Sequence, residues 1–264
     1  MLGNSKSKRE GSMKAVIIAA GIGIRLNPLT DDKPKCLLKI RGKTILHHQL
    51  DAFHANGITD ISVIKGYKKE AIDYPGLKYY INDNYRNNNI LNSLFYAEEE
   101  LDGEFIVSYS DIIFDADIVR RLMESDRDIA IVVDIDWKGY YEGRTEHPIE
   151  EAEKVIFDED KNVVEIGKIV SSEKEVNGEF IGMVKCTKRG AEIFKEFFHK
   201  AKKEFHGKPF IRAKTFNNAY LTDFIQYLVR NNIKVKCVPI ERGWIEIDTL
   251  QDFERAPKFL RGII

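Results

Sequence analysis

The chain has 264 residues, 43% hydrophobic and 31% charged, and its 41 basic and 42 acidic residues give a formal net charge of −1. This suits one large α/β domain, or a domain with an appendage. The balanced charge argues against a nucleic-acid partner, and the lack of an apolar run of about 18 residues argues against a membrane span. Cys36, Cys186 and Cys237 are scattered, which favours a reducing cytoplasm over a disulfide framework or a zinc site.

The first twelve residues, MLGNSKSKREGS, are polar and lack an apolar core. They are therefore predicted to be a disordered leader or tag, and not a signal peptide. Residues 13–264 contain no repeat and no low-complexity linker. We expect them to form a single domain with two halves, 13–136 and 137–264.

The first half alternates between short apolar runs and segments with helical spacing. Strands are predicted at 15–20, 61–65, 77–81, 104–109 and 129–135, and helices at 45–53, 69–74, 90–97 and 118–123. This alternation is typical of a doubly wound, mostly parallel, Rossmann-like sheet. Ligands of such sheets bind at the carboxyl ends of the strands, so the loops that follow strands are the first places to search for a site.

The pattern changes after residue 136. Short strands are predicted at 155–157, 163–166, 180–184 and 233–240, and helices at 188–205, 220–229 and 250–259. We expect this half to be an appended α+β region that packs on the open end of the first sheet.

A glycine-rich loop follows the first strand. The apolar run ends at Ala20, Gly21 and Gly23 come next, and Arg25 and Lys35 lie beyond them. Glycines allow backbone N–H groups to approach an anion closely, and buried cations need an anionic partner. The loop therefore predicts a cradle for a triphosphate.

Two common phosphate motifs do not fit this loop. A P-loop needs four residues between its glycines and then Gly-Lys-Ser/Thr, and a dinucleotide fingerprint needs a third glycine that opens a helix. The pattern that fits is Gly-x-Gly-x-Arg-Leu-x-Pro, from Gly21 to Pro28, followed by the pair Pro34-Lys35. It resembles the nucleotidyltransferase family, whose members join an NTP to a sugar phosphate or an amino-alcohol phosphate and release pyrophosphate.

The resemblance implies a nucleotide-diphospho-sugar transferase-like fold in which 13–136 binds the NTP and 137–264 binds the acceptor. It also implies Mg²⁺ as cofactor and catalytic roles for Arg25 and Lys35. The predicted NTP contacts are Ala20, Gly21, Gly23, Asn89 and Ser93. In the family the segment around Asn87 to Ser93 reads the base edge, and amides suit cytosine or uracil. The alternative for these asparagines is a polar loop that caps the following helix.

Two carboxylates are predicted to hold the metal ion. Asp111 follows a buried-looking strand, where the family carries a Mg²⁺-binding Asp, although an Asp at a strand end can also start a turn. Asp248 and Glu246 share one face of an alternating segment, and paired carboxylates on one face repel unless a cation lies between them. The alternative is that Asp248 or Thr249 caps the last helix.

Aromatic side chains of the second half are candidates for contacts to the acceptor. Trp137, Tyr140, Tyr141, Tyr220 and Trp244 lie near predicted strand ends or loops, with carboxylates close in sequence. Together they predict a box that binds an ammonium group by cation–π contact, and the alternative is ordinary core packing. The full set of predicted acceptor contacts is Trp137, Lys168, Glu179, Tyr220, Trp244 and Glu246.

Lys168 follows the strand predicted at 163–166, where family members carry a lysine that binds the acceptor phosphate; the alternative is a solvated lysine. Gly167 stands where many sugar nucleotidyltransferases have Glu, which weakens the case for a sugar acceptor. The histidines show no metal-ligand spacing and are predicted to be surface or helix residues: His47, His48, His54, His147, His199 and His206.

The leading prediction is a Mg²⁺-dependent nucleotidyltransferase that uses CTP and an amine-bearing phosphate or phosphonate. It is closest to the cytidylyltransferases for phosphocholine or 2-aminoethylphosphonate. Two alternatives stay open: a sugar-1-phosphate nucleotidyltransferase, and an inactive relative that binds nucleotide as a regulator. Intact Arg25, Lys35, Asp111 and Asp248 argue against the inactive relative. The base, the acceptor and the oligomeric state stay open.

Overall fold

The structure, a computed structural model, describes residues 12–260, so the prediction of a disordered leader lies, except for Ser12, outside the described residues. The strands are β1 Lys14–Ala19, β2 Lys39–Ile40, β3 Lys43–Thr44, β4 Asp60–Lys65, β5 Lys78–Ile81, β6 Phe105–Tyr109, β7 Ile112–Phe114, β8 Ile129–Asp134, β9 Lys154–Phe157, β10 Val163–Gly167, β11 Gly178–Cys186, β12 Lys236–Ile240 and β13 Trp244–Glu246. The α-helices are α1 Ile45–Ala55, α2 Ile90–Leu94, α3 Ala116–Glu124, α4 Lys188–Glu204, α5 Leu221–Arg230 and α6 Leu250–Phe259.

One mixed sheet contains strands from both predicted halves of the chain. Its order is β12-β8-β11-β6-β1-β4-β5, and β9 with β10 continues from one end of β11. Strands β6, β1, β4 and β5 run parallel, as do β8 and β12, whereas β11 is antiparallel to both of its long neighbours. The predicted doubly wound α/β sheet is confirmed, and β11 makes it mixed.

The central strand β1 is buried on both faces because helices cover the sheet from both sides. Val16 and Ile18 face a core with α2, α4 and α5, and Ile17 and Ala19 face a core with α1 and α3. Successive side chains of a strand point to opposite faces, so a continuous apolar run is what a central strand requires. A third cluster, which includes Leu26, joins the glycine loop to α6.

The predicted helix at 69–74 is only a single 3₁₀ turn, Lys69–Ala71. Tyr74 precedes Pro75, and the residue before a proline is disfavoured in the helical region, so the segment cannot extend. The predicted helix at 90–97 is divided, since α2 gives way to a 3₁₀ segment in which Ala97 has non-helical dihedrals. Within residues 12–260, no helix combines the length and the apolar character that a membrane crossing needs.

The close approach of β1 and β4 at their carboxyl ends depends on Gly66. A Cβ atom at this position would lie 2.7 Å from the Ala20 carbonyl oxygen, and the Tyr67 N–H donates to that same oxygen at 3.0 Å. We expect Gly66→Ala to destabilise the chain by about 1–3 kcal/mol, because the backbone must shift. Urea unfolding measures this change. The matched control is Gly139→Ala, where a Cβ meets nothing within 4 Å; an equal loss in both variants would contradict the steric argument.

Candidate active site

The strand register brings the loops of the site to one edge of the sheet. Ile18 of β1 pairs with Tyr109 of β6 in parallel, so the loops that follow these two strands leave the sheet side by side. Strand β13 pairs antiparallel with β7, and the Ile247 N–H donates to the Asp111 carbonyl oxygen at 2.8 Å. Asp248, the next residue, therefore lies beside Asp111 although the two are distant in sequence.

The glycine loop positions Lys35. Gly23 has φ 68°, and a Cβ atom added to it would lie 3.2 Å from the Lys35 Cβ. Thr30 Oγ1 donates to the Gly23 carbonyl oxygen at 3.0 Å and fixes the turn. Ala20 and Gly21 line the cleft, whereas Gly23 lies next to Lys35 and does not line the cleft. Glycine is needed at 23 because a side chain would displace the lysine.

Two cations and two carboxylates form a charge cluster at the centre of the site. Lys35 Nζ contacts Asp111 and lies 3.2 Å from Asp248 Oδ1, and the Arg25 guanidinium contacts the other Asp248 oxygen. Burial opposes the charged form of Lys35, but the Asp111 and Asp248 carboxylates outweigh burial and raise its pKa well above the usual value. Burial likewise opposes ionisation of Asp248, and Lys35 above all reverses that effect and lowers the pKa of Asp248. Both groups are therefore charged at neutral pH.

The carboxylate pair fits a hard divalent cation. Asp111 and Asp248 both contact one ammonium group, so their oxygens already converge around a positive charge. The Oδ1 atom of Asp111 is buried and accepts no hydrogen bond from residues 12–260, so it is available to a further ligand. Mg²⁺ prefers carboxylate oxygens and usually keeps one or two protein ligands in such sites.

His147 belongs to this cluster, which corrects the prediction that it is a surface or helix residue. It is 4% exposed, and its Nδ1 lies 3.4 Å from Asp248 Oδ2 and 3.6 Å from Glu246 Oε2. Ligand atoms of the three side chains all fall within 4.8 Å of one another. Among the other histidines, His48 is buried against the Ile40 carbonyl oxygen, which is a core position; the exposed ones are His47, His54, His199 and His206.

The predicted base-contact residues form a network at the start of α2. Asn82, fully buried, donates to Ser93 Oγ at 2.8 Å and to Asn88 Oδ1 at 2.9 Å. Asn89 caps α2 by accepting the next backbone N–H at 2.8 Å, and its amide donates to the Asn218 carbonyl oxygen at 3.2 Å. The capping alternative therefore holds for Asn89. Asn88, Asn89 and Ser93 nevertheless all line the cleft, where their remaining polar atoms can meet a base edge.

Glu151 links the glycine loop to the second half of the chain. Its Oε2 lies 3.1 Å from Arg25 Nη1 and 3.6 Å from Lys168 Nζ. Lys168 Nζ also lies 5.4 Å from the centre of the Tyr220 ring. Arg25 and Lys168 therefore lie close together, beside one Glu151 oxygen, which suits two anionic groups held next to each other.

Three further carboxyl groups line the cleft: Glu179, which is buried, and Glu153 and Glu246, which are half-buried. Burial raises the pKa of Glu153 to about 7 and that of Glu179 to about 8. Burial also raises the pKa of Glu246, although Arg144 partly opposes the rise. Arg144 itself has a fully buried side chain behind the cleft, where it pairs with Glu246 at 2.7 Å and with Asp252 at 2.7 Å.

The cleft has a volume of 280 Å³ and brings cations and carboxyl groups together in one hollow. The predicted site residues that line it are Ala20, Gly21, Arg25, Lys35, Asn89, Ser93, Asp111, Lys168, Glu179, Tyr220, Trp244, Glu246 and Asp248. A cleft that holds both signs of charge suits substrates that carry phosphates together with a cationic group.

Residues 15–157, over half of the chain, match the family described as the MobA-like NTP transferase domain. The chain belongs to this family. It is 30% identical over 253 residues to the CTP:phosphoglutamine cytidylyltransferase of Campylobacter jejuni subsp. jejuni serotype O:2, with 92% of this chain and 98% of that protein covered. It is also 38% identical over 106 residues to the choline-phosphate cytidylyltransferase of Streptococcus pneumoniae, covering 39% of this chain and 46% of that protein.

The fold of this NTP transferase agrees with that of a solved relative. The CTP:phosphocholine cytidylyltransferase of Streptococcus pneumoniae superposes with a TM-score of 0.71 at 24% sequence identity. The superposition covers 94% of this chain and 99% of that one. The chain is thus a nucleotidyltransferase with the nucleotide-diphospho-sugar transferase fold, as the glycine-loop pattern predicted.

Of the five rings of the predicted aromatic box, Tyr220 and Trp244 line the cleft of this NTP transferase, whereas Trp137, Tyr140 and Tyr141 do not. Trp137 is 3% exposed, does not line the cleft and packs with Tyr140 and Tyr141 in the third core cluster, so the prediction that it contacts the acceptor is corrected. Trp244 lines the cleft but is 2% exposed, and its Nε1 donates to Asp134 at 2.7 Å. Core packing, the alternative, therefore accounts for most of these rings.

Sequence reasoning missed His147, Glu151 and Glu153. All three lie between residues 142 and 153, where the structure has only short 3₁₀ turns and irregular chain. This segment is held by tertiary contacts, such as Gln251 Oε1 accepting the Thr145 N–H at 2.8 Å. The signal that the sequence does offer is a high density of acidic residues around a His-Pro pair. This density indicates a charged loop, but it does not indicate which residues the loop contacts.

Proposed function

We propose that this chain is a Mg²⁺-dependent cytidylyltransferase. It transfers a CMP group from CTP to a small phosphate or phosphonate acceptor that carries an amine, and it releases pyrophosphate. The observation that carries the proposal is one cleft that Arg25, Lys35 and Lys168 line together with the carboxylates of Asp111 and Asp248 and with further glutamates.

The reaction is a displacement at the α-phosphorus. An oxygen of the acceptor phosphate forms a bond to that phosphorus, the bond to the β-phosphate oxygen breaks, and pyrophosphate leaves with the electron pair. The attacking oxygen is already anionic, so no strong base is needed. The barrier is repulsion between two polyanions, and positioning together with charge neutralisation lowers it.

Each charged group has a role in this scheme. Lys35 and Arg25 neutralise the triphosphate, Gly21 offers its backbone N–H group, and Lys168 holds the acceptor phosphate. Asp111 and Asp248 would hold Mg²⁺, which when bound supplies further positive charge at the triphosphate. Lys35 also keeps the two carboxylates from repelling each other, since it contacts both.

Two kinds of observation support cytosine as the base and an amine-bearing molecule as the acceptor: the named relatives and the geometry of the cleft. Two of the relatives are named as cytidylyltransferases, for phosphoglutamine and for choline phosphate. The structure disfavours the Glu that many sugar enzymes carry at position 167, since Gly167 has φ +146° and a Cβ there would lie 2.8 Å from Arg212 Nη1. The amide and hydroxyl groups of Asn88 and Ser93 suit a base edge that has both a donor and an acceptor.

The test is pyrophosphate release with each of the four NTPs against phosphocholine, 2-aminoethylphosphonate and a panel of sugar 1-phosphates, with and without MgCl₂. We expect release with CTP, Mg²⁺ and an amine-bearing acceptor. Release only with sugar 1-phosphates would favour the sugar alternative. Nucleotide binding without release for any acceptor would favour the inactive relative, and equal release in EDTA would contradict the metal.

A further inference from the structure

The Glu179 carboxyl group is incompletely satisfied. The residue is 4% exposed and lines the cleft, and the Tyr141 hydroxyl donates to its Oε1 atom. Its Oε2 atom is buried and makes no hydrogen bond within the described residues. A buried carboxylate oxygen without a donor costs about 1–3 kcal/mol or more, so its position on the wall of a substrate cleft points to a donor on the substrate.

The charges around Glu179 leave this part of the cleft short of cations. The groups that act on it are Tyr141, Glu246, Arg144 and Asp134. Arg144 is paired with Glu246 and Asp252, and Asp134 is paired with Arg242 and the Trp244 indole. Burial raises the pKa of Glu179 to about 8, because its effect is larger than that of the Tyr141 hydrogen bond, which lowers the pKa. A cation placed here would therefore stabilise the ionised form of Glu179.

Glu153, a half-buried residue of the same cleft, adds a second carboxyl group. Thr222 Oγ1 donates to its Oε1 at 2.8 Å, and the Tyr109 hydroxyl donates to its Oε2 at 3.3 Å. Each carboxylate oxygen can accept more than one hydrogen bond, so capacity for a further donor remains. The Glu246 carboxyl acts on both Glu153 and Glu179, which places all three in one acidic region.

Each aromatic ring that lines the cleft already contacts another ring, a cation or a carboxylate; these rings are Tyr85, Tyr109, Phe180, Tyr220 and Trp244. The Tyr220 ring carries Lys168 Nζ at 5.4 Å, and the Tyr109 ring packs edge-on against Phe180 with its centre 6.0 Å away. Trp244 is 2% exposed. A trimethylammonium group, which has no N–H and is bound through ring faces, therefore finds poor partners here.

Resting on the proposed function, we infer that Glu179, together with Glu153 and Glu246, binds an ammonium group that bears N–H donors. The acceptor is then a phosphate or phosphonate with a primary ammonium, and not one with a quaternary trimethylammonium. Charge-assisted N–H···O bonds satisfy the unpaired Glu179 oxygen, whereas methyl groups would leave it buried and unpaired.

The test compares matched pairs of acceptors that differ only by three N-methyl groups. The pairs are phosphoethanolamine with phosphocholine, and 2-aminoethylphosphonate with its N-trimethyl analogue. With CTP and Mg²⁺, we expect kcat/KM to be higher for the primary ammonium in each pair by about 10-fold or more. This comparison uses the unaltered enzyme, so it needs no variant to fold.

Glu179→Gln keeps the shape of the side chain and removes its charge. We expect it to raise the KM for the primary ammonium acceptor by about 10- to 100-fold and to remove the preference within each pair, with the KM for CTP unchanged. The matched control is Glu175→Gln, an exposed residue in the turn before β11, which leaves all constants unchanged.

The outcomes separate the inference from the function on which it rests. Turnover of CTP with amine acceptors, but with the trimethylated member of each pair used equally or better, would overturn the inference alone. A Glu179→Gln enzyme that keeps the wild-type acceptor KM and preference would do the same. Turnover with sugar 1-phosphates only, or with no acceptor, would overturn the proposed function and the inference with it.

Discussion

Replacing Asp111 by alanine is expected to lower kcat for pyrophosphate release by about 1,000-fold while the chain stays folded. The Asp111 side chain supplies a carboxylate that contacts Lys35 and a buried oxygen without a hydrogen bond. Its structural contact to β13 is made by its backbone carbonyl oxygen, which alanine retains. Removing the side chain therefore removes a metal ligand and leaves the junction of β7 and β13 in place.

Pyrophosphate release at saturating MgCl₂, measured beside urea unfolding, tests this expectation. Asp117→Ala is the matched control, because Asp117 is an exposed residue of α3 that pairs with Arg120. Full activity of Asp111→Ala in MgCl₂ would reject Asp111 as a ligand. Loss of activity together with loss of the folded state would call for Asp111→Asn, which keeps the shape of the side chain.

Lys35→Ala is expected to lower kcat/KM for the NTP by about 100- to 1,000-fold, through both a higher KM and a lower kcat. Lys35 lies in the centre of the charge cluster, and its pKa is raised despite burial because Asp111 and Asp248 stabilise its charged form. Its positive charge is therefore present across the whole neutral range and is lost only when pH rises through the raised pKa. The variant removes a phosphate partner and leaves the two carboxylates to repel each other.

Steady-state kinetics over a range of NTP and MgCl₂ concentrations measure both effects. Lys33→Ala is the control, since Lys33 lies two residues earlier in the same loop and pairs with Asp32 outside the cleft. Because only Mg²⁺ would then separate Asp111 from Asp248, we expect Lys35→Ala to need more MgCl₂ for half-maximal rate. Unchanged kinetics would remove Lys35 from the site.

The sequence could predict the parts of the site whose position depends on neighbouring residues in the chain. The glycine loop follows β1, Asp111 lies two residues after β6, and Asp248 lies just before α6. The rule that places ligands at the ends of parallel strands is enough to bring the glycine loop and Asp111 together, whereas Asp248 arrives through the pairing of β13 with β7. The alternation of apolar segments likewise predicted most strands and helices, because buried strands and amphipathic helices have different periods.

The parts that sequence could not predict depend on contacts between distant segments. Whether Trp137 lines the cleft or the core is decided by α6, which covers it together with Ile245. His147 reaches Asp248 only because Arg144, nearby in its segment, is held by Asp252 and Glu246. Neither fact leaves a periodic signal in the chain, so a hydrophobic pattern alone assigns these residues wrongly.

Strand β11 has a consequence for how acceptor preference can change among such enzymes. It lies between β6 and β8, so a fragment that ends at residue 136, which also lacks β12, would leave one edge of β6 and both edges of β8 unpaired. The two halves therefore cannot be exchanged between relatives as modules, and a chimaera joined at this point would have to rebuild the centre of its sheet. New acceptor preferences must instead arise by single substitutions in the segments that border the cleft, while the mixed sheet stays unchanged.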